Sequence, residues 1–169
     1  MTNRQEVLDR FIKHVVSQAK KNLTTTGKNA SKKLYNSIQG EAKAFPNSIG
    51  IYFDMEDYGF FQDKGVSGIK KKYDTPFSYK SKMPPPSAFD KWTIRRGIAP
   101  RNTKGQFQTR KGLNFAIARS IFEKGIKPSL FFTKPFEAAF KNLPDELIEN
   151  YGFDVEALFD KIMKPNLKK

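Results

Sequence analysis

Apolar side chains recur at helical spacing across residues 4–23, and further along the period drops to two. Val7, Leu8, Phe11, Ile12, Val15, Val16, Ala19 and Leu23 make one stripe on a 3.6-residue repeat. Ile49, Ile51 and Phe53 alternate and share one face of a strand. A chain that carries both periods must bury a helical stripe against the apolar face of a sheet. The pattern predicts an α+β fold: helices packed on a small antiparallel sheet, with long loops and a helical C-terminal segment.

The local signals fill in this outline. Asn3 and Glu6 have capping-box spacing ahead of the first helix, and Thr24-Thr25-Thr26-Gly27 ends it. Ser31 is placed to cap a short second helix with Leu34, Tyr35 and Ile38 inward and Gly40 as its stop. The runs 41–45 and 48–53 flank the turn pair Pro46-Asn47, which reads as a β-hairpin. The acidic-aromatic stretch 54–65 predicts a short helix or strand carrying Phe60 and Phe61 to the core.

Gly68, Lys70-Lys71-Lys72, Thr75-Pro76 and Pro84-Pro85-Pro86 oppose regular structure, so 66–86 reads as a long loop. Pro86-Ser87 opens a helix holding Phe89, Trp92 and Thr93, closed by Gly97 with Ile98 behind it. The basic stretch 101–110, centred on Gly105, reads as an exposed loop or two-stranded finger.

Residues 112–124 form a helix with Leu113, Ala116, Ile117, Ser120 and Ile121 on one face, stopped by Gly125, Ile126 and Pro128. Residues 129–132 read as extended. Thr133 then caps a helix bearing Phe136, Ala139, Phe140 and Leu143, which Pro144 kinks or ends. Leu147, Ile148 and Tyr151 continue an apolar face. A last helix over 154–163 has Asp154 as its cap and Val155, Leu158, Phe159 and Ile162 inward. This organisation divides the chain into an α+β domain over 1–143, with basic loops at 66–86 and 99–111, and a helical extension over 144–169 with a loose tail.

Charge is unevenly placed. The 169 residues hold 31 basic and 17 acidic side chains, a net +14. Residues 64–134 hold 17 basic and 3 acidic ones, while 41–63 hold 1 and 5. Lys outnumbers Arg 24 to 7 and Phe outnumbers Leu 16 to 9, a bias that an AT-rich genome produces by itself. Its concentration in one segment points further, to a polyanion or an acidic protein surface as partner.

Residue inventory removes several chemistries. There is no cysteine, hence no disulfide and no thiolate metal site. The single histidine, His14, lies beside the first helix's stripe and reads as structural rather than as a catalytic base. No GxxxxGK[ST] or GxGxxG occurs. No apolar run approaches a membrane span and the N-terminus lacks a secretory h-region, so a soluble protein made inside the cell is expected, without membrane contact.

Two clusters remain. Asp54, Glu56, Asp57 and Asp63, followed by Lys64, could hold a divalent cation in the manner of a metal-dependent nuclease; the plainer reading is a solvated turn after the hairpin. Lys70, Lys71, Lys72, Arg95, Arg96, Arg101, Lys104, Arg110 and Lys111 are interleaved with Tyr73, Phe77, Tyr79, Trp92 and Phe107. They are the candidates for facing DNA or an acidic partner. Such cations neutralise phosphates without reading sequence, and no base-reading motif accompanies them.

One resemblance extends over residues 1–140. Asp57-Tyr58-Gly59-Phe60-Phe61-Gln62-Asp63-Lys64-Gly65 resembles the Tyr…Phe-x-x-x-Gly segment of tailed-bacteriophage tail-completion and neck proteins. The Pro84-Pro85-Pro86 run before the Trp92 helix, the stretch around Gly105, residues 118–128, and Phe131-Phe132 leading into the Phe136 helix are similar to the same proteins.

The resemblance implies an α+β structural protein of the virion, made in the host cytoplasm and placed at the head-to-tail junction. Copies would form a homo-oligomeric ring around the DNA channel, against portal and tail proteins, with room for non-specific contact with genomic DNA. It carries over no catalytic residue, metal or cofactor, and none is expected. The alternatives are a free, non-specific nucleic-acid-binding protein and, further off, the Mg²⁺-dependent nuclease.

Overall fold

The computed structural model describes residues 4–45 and 48–143. It is α+β, with helices packed on small two-stranded antiparallel sheets. The described chain forms two compact units. One comprises 4–29, 33–63 and 130–143; the other comprises 30–32 and 64–129.

The first unit is built on α1 (Arg4–Thr25). Its stripe buries Leu8, Phe11, Ile12, Val15, Ala19 and Leu23, while His14 lies on the exposed side. The expected hairpin forms from β1 (Gln39–Phe45) and β2 (Ser48–Asp54), paired antiparallel from Gln39↔Asp54 to Phe45↔Ser48. Ile51 is buried, and Ile49 and Phe53 pack on the same core. The short helix α2 (Lys33–Ser37) turns Leu34 inward, with Ile38 buried just beyond it. Gly40 does not stop that helix. It lies inside β1, opposite Phe53, where a Cβ would come within 2.8 Å of both Ile12 and Phe53. Only a residue without a side chain lets β1 lie this close to α1.

Two further expectations are corrected in this unit. Residues 58–64 do form a helix, α3 (Tyr58–Lys64), but it buries Gly59 and Asp63 and leaves Phe60 and Phe61 half-buried. Positions i and i+4 share a helix face, so facing Gly59 inward also faces Asp63 inward. Residues 129–132 are a turn rather than a strand, with Leu130 at φ 50°. The turn buries Phe131 and Phe132 and starts α6 (Thr133–Phe140). Phe11, Phe53, Phe132, Phe136 and Phe140 form one aromatic cluster with ring centroids 5.1–6.4 Å apart, mostly edge to face.

The second unit centres on α5 (Arg110–Lys124). Thr109 caps it by accepting from the Gly112 amide. The buried positions are Asn114 and Ala118, again i and i+4. Leu113, Ile117 and Ile121 are half-buried, whereas Ala116 and Ser120, expected on the inner face, are exposed. A 3-10 turn (Pro86–Phe89) runs into α4 (Asp90–Arg95), where the Gly97 and Ile98 amides close on the Ile94 and Thr93 carbonyls. β3 (Val66–Ser67) pairs antiparallel with β4 (Gly125–Ile126).

That pairing needs glycine. Gly125 has φ 74°, and a Cβ there would lie 2.0 Å from the Val66 carbonyl oxygen; one at Gly68 would lie 2.2 Å from that of Glu123. The Asn3 cap, the Pro46-Asn47 turn, the role of Pro144 and the helix over 154–163 lie outside the described residues.

Candidate functional site

Asp63 is the most deeply placed carboxylate among the described residues, only 1% exposed. Its Oδ1 accepts from the Phe132 amide at 2.8 Å and the Thr133 amide at 3.2 Å, and its Oδ2 accepts from the Thr133 hydroxyl. Its own carbonyl accepts from the Leu130 amide at 3.0 Å. The expected cap of α6 is thereby corrected. Thr133 does not cap the helix; its hydroxyl donates to Asp63, and the carboxylate of a residue seventy positions earlier satisfies the first amides. Spacing along the chain gives no signal for such a remote cap.

The neighbouring carboxylates are engaged differently. Glu56 pairs with Lys33 at 2.7 Å and its amide donates to the Ser37 hydroxyl. That carboxylate raises the Lys33 pKa, by its hydrogen bond first and its charge second. Asp54 and Asp57 are exposed. Among the described residues no three His, Asp or Glu side chains gather in a way that could hold a metal ion.

The basic candidates separate into two places. Lys70-Lys71-Lys72 lies against the C-terminal end of α5, where the Lys70 and Lys71 amides donate to the Glu123 carbonyl. Lys70 pairs with the Glu123 carboxylate at 2.9 Å, and Lys72 Nζ donates to the Gly68 carbonyl at 3.0 Å. Lys71 lies over the Tyr73 ring. The hydrogen bond from Lys70, and then that from Arg119, hold the Glu123 carboxyl below the usual carboxylate range.

This loop is braced internally. The Ser67 amide donates to the Phe77 carbonyl, the Tyr79 amide donates to the Ser67 carbonyl, and the Ser67 hydroxyl is bonded to both backbone groups of Tyr73. Thr75 donates its hydroxyl to the Gly65 carbonyl.

The other six candidates gather at the N-terminal end of α5. Arg110 and Lys111 form its first turn. The expected finger is present: Arg101 and Phe107 pair as an antiparallel bridge, and the Gln108 amide donates to the Pro100 carbonyl at its base. Asn102 holds the tip. Its Oδ1 accepts from the Lys104 and Gln106 amides, and its carbonyl accepts from the Gly105 amide. Asn at the first and Gly at the fourth position of a turn is the readable signal for this.

Arg101 donates to the Gly105 carbonyl and lies 4.1 Å from the centre of the Phe107 ring. Arg95 and Arg96 end α4, with Arg96 over Trp92. α4 is tied to this end of α5 by a polar cluster, Thr93 and Asn114 buried and Asp90 exposed, that residue patterns did not reveal. Asn114 donates to the Asp90 carboxylate, and the Thr93 hydroxyl faces the Asn114 carbonyl oxygen at 3.4 Å. From residue 110 to residue 123 the helix rises about 20 Å, so the two cation groups are about that far apart along its axis.

Large apolar side chains are exposed in this same unit: Ile69, Trp92, Ile94 (59%), Phe107 (68%) and Phe115 (50%). Residue types at 92 and 107 were singled out by their place among cations; Ile94 and Phe115 were not, because only packing decides which helical face stays open. No family model, curated protein or solved structure matches this chain.

Proposed function

We propose that this chain is a structural protein of a tailed-bacteriophage particle. It works as a homo-oligomeric ring at the head-to-tail junction, between portal and tail, with DNA passing through the lumen. The observation that carries this reading is the surface of the 64–129 unit. That unit, with 30–32, holds 17 basic and 3 acidic residues and leaves five large apolar side chains exposed on helices, a loop and a finger. A surface that is both apolar and strongly positive suits a subunit that covers part of itself with neighbours and turns part toward a polyanion. Closing such subunits into a ring needs a heterologous interface repeated by rotation. The order of short phrases from Tyr58 to Phe136 supports the same assignment.

Cryo-EM reconstruction of the portal-to-tail region of purified particles tests it. Density for this chain in a closed ring around the channel is the expected result; absence of the chain from particles overturns it. A second reading, a free nucleic-acid-binding protein, is favoured by the guanidinium groups of Arg96 and Arg101 resting on exposed rings. It expects steeply salt-dependent DNA binding by the isolated chain and no copy of it in particles.

A further inference from the structure

We infer that one end of the 64–129 unit is the surface that holds duplex DNA by its phosphates: the finger, the end of α4 and the first turn of α5. Lys70-Lys71-Lys72 lies outside that surface. The inference rests on the reading above for DNA as the polyanion within reach.

Four observations converge. First, five of the cations at this end carry charge that no described carboxylate offsets by an ion pair. Among the described residues Arg95, Arg101, Lys104, Arg110 and Lys111 are exposed and enter no ion pair, whereas Lys70 is paired with the Glu123 carboxylate. Second, acid is scarce there. Of the unit's three acidic residues only Asp90 lies at this end, where its carboxylate accepts from the Asn114 side-chain amide; Glu123 lies at the opposite end of α5 and Asp74 belongs to the braced 66–79 loop.

Third, the residue type is selected. In a chain where Lys outnumbers Arg 24 to 7, four of the seven arginines, Arg95, Arg96, Arg101 and Arg110, stand within this one region. A general lysine bias does not produce that. Guanidinium presents a planar fork that matches a phosphate, and it is less strongly hydrated than ammonium.

Fourth, the forks are pre-positioned. Arg101 lies on Phe107 and also donates to the Gly105 carbonyl, and Arg96 lies over Trp92, so less rotamer freedom is lost on meeting a phosphate. Arg110 and Lys111 also stand at the positive end of α5 without an acidic residue in its first turn, a placement that an arriving phosphate relieves.

The test uses the purified full-length chain and a fluorescently labelled duplex, with anisotropy read from about 50 to 200 mM salt. Two variants remove the same three charges from different places: Arg101→Gln/Lys104→Gln/Arg110→Gln and Lys70→Gln/Lys71→Gln/Lys72→Gln. The first is expected to lower the slope of log K against log salt by about 3, and the second by less than about 1. Arg101→Lys/Arg110→Lys keeps the charge and is expected to keep the slope, which separates loss of charge from loss of the finger's fold; circular dichroism checks all three variants.

Equal losses in the two triple variants, no binding by the wild type at about 50 mM salt, or single strands or polyglutamate bound as tightly as duplex each overturn the inference. Failure of the ring reading is visible separately. A chain missing from particles that still shows the unequal losses refutes the ring and leaves the DNA surface standing.

Discussion

The two units differ in what they bury and in how much charge they carry. The first buries fourteen apolar residues in one cluster around α1, the hairpin and α6. Its described part holds 10 basic and 8 acidic residues. The second fully buries only Val66 and Ala118 among its apolar residues and centres on the polar Ser67, Thr93 and Asn114, yet it carries net +14. Apolar burial is what stabilises the first. The second is held by hydrogen bonds that fit one backbone geometry: the braces of Ser67, the Asn114–Asp90 contact and the glycines of the 66–67/125–126 pair. A body stabilised in that way can leave its large side chains outside, for use on a partner.

Substitutions should break the two units by different means. The largest effect is expected from Phe136→Ala, which empties the centre of the aromatic cluster; about 3–5 kcal/mol should be lost, read by urea unfolding. Next is Asp63→Ala, which leaves two amides and a hydroxyl at the start of α6 without their acceptor in a dry site. A loss of about 2–3 kcal/mol is expected, with α6 amides exchanging faster. A larger loss than from Phe136→Ala would mean that the remote cap, not apolar burial, dominates the first unit.

In the second unit Gly125→Ala forces a Cβ onto the Val66 carbonyl at positive φ and should cost about 1–3 kcal/mol. Smaller still is the response to acid at Glu123. Its carboxyl titrates lower in the folded protein than in the unfolded chain, so its contribution is present above the ordinary carboxylate range and fades as pH falls below it. Protection of the Ile69, Lys70 and Lys71 amides, taken relative to the intrinsic exchange rate at each pH, should fall in that window and should not change across it in Glu123→Gln. The smallest effect is expected from Phe107→Ala, within about 0.5 kcal/mol by thermal unfolding because the ring is exposed. A clear loss there would show that the finger is part of the unit's stable body and would erase the contrast.

Periodicity made much of this legible. The stripe of α1, the alternation of Ile49, Ile51 and Phe53, the Gly97 and Gly125 stops and the Gly105 finger are all local rules, satisfied within a few residues of where they are written. Charge placement likewise marked the basic region before any fold was known. The failures share a cause. Asp63 as a cap, Gly40 as a close-approach residue, and the open face of Phe115 each depend on what lies opposite in space, many residues away.

Thus the sequence alone determined the helices, the hairpin, the α+β class and where the positive charge is concentrated, because these follow from side-chain period and residue count. Only the tertiary structure decided which carboxylate is buried, that Lys70 is paired with Glu123 at one end of α5, and that α4 is tied to the other end through Asn114. Those are properties of distance, and distance between remote residues is set by packing.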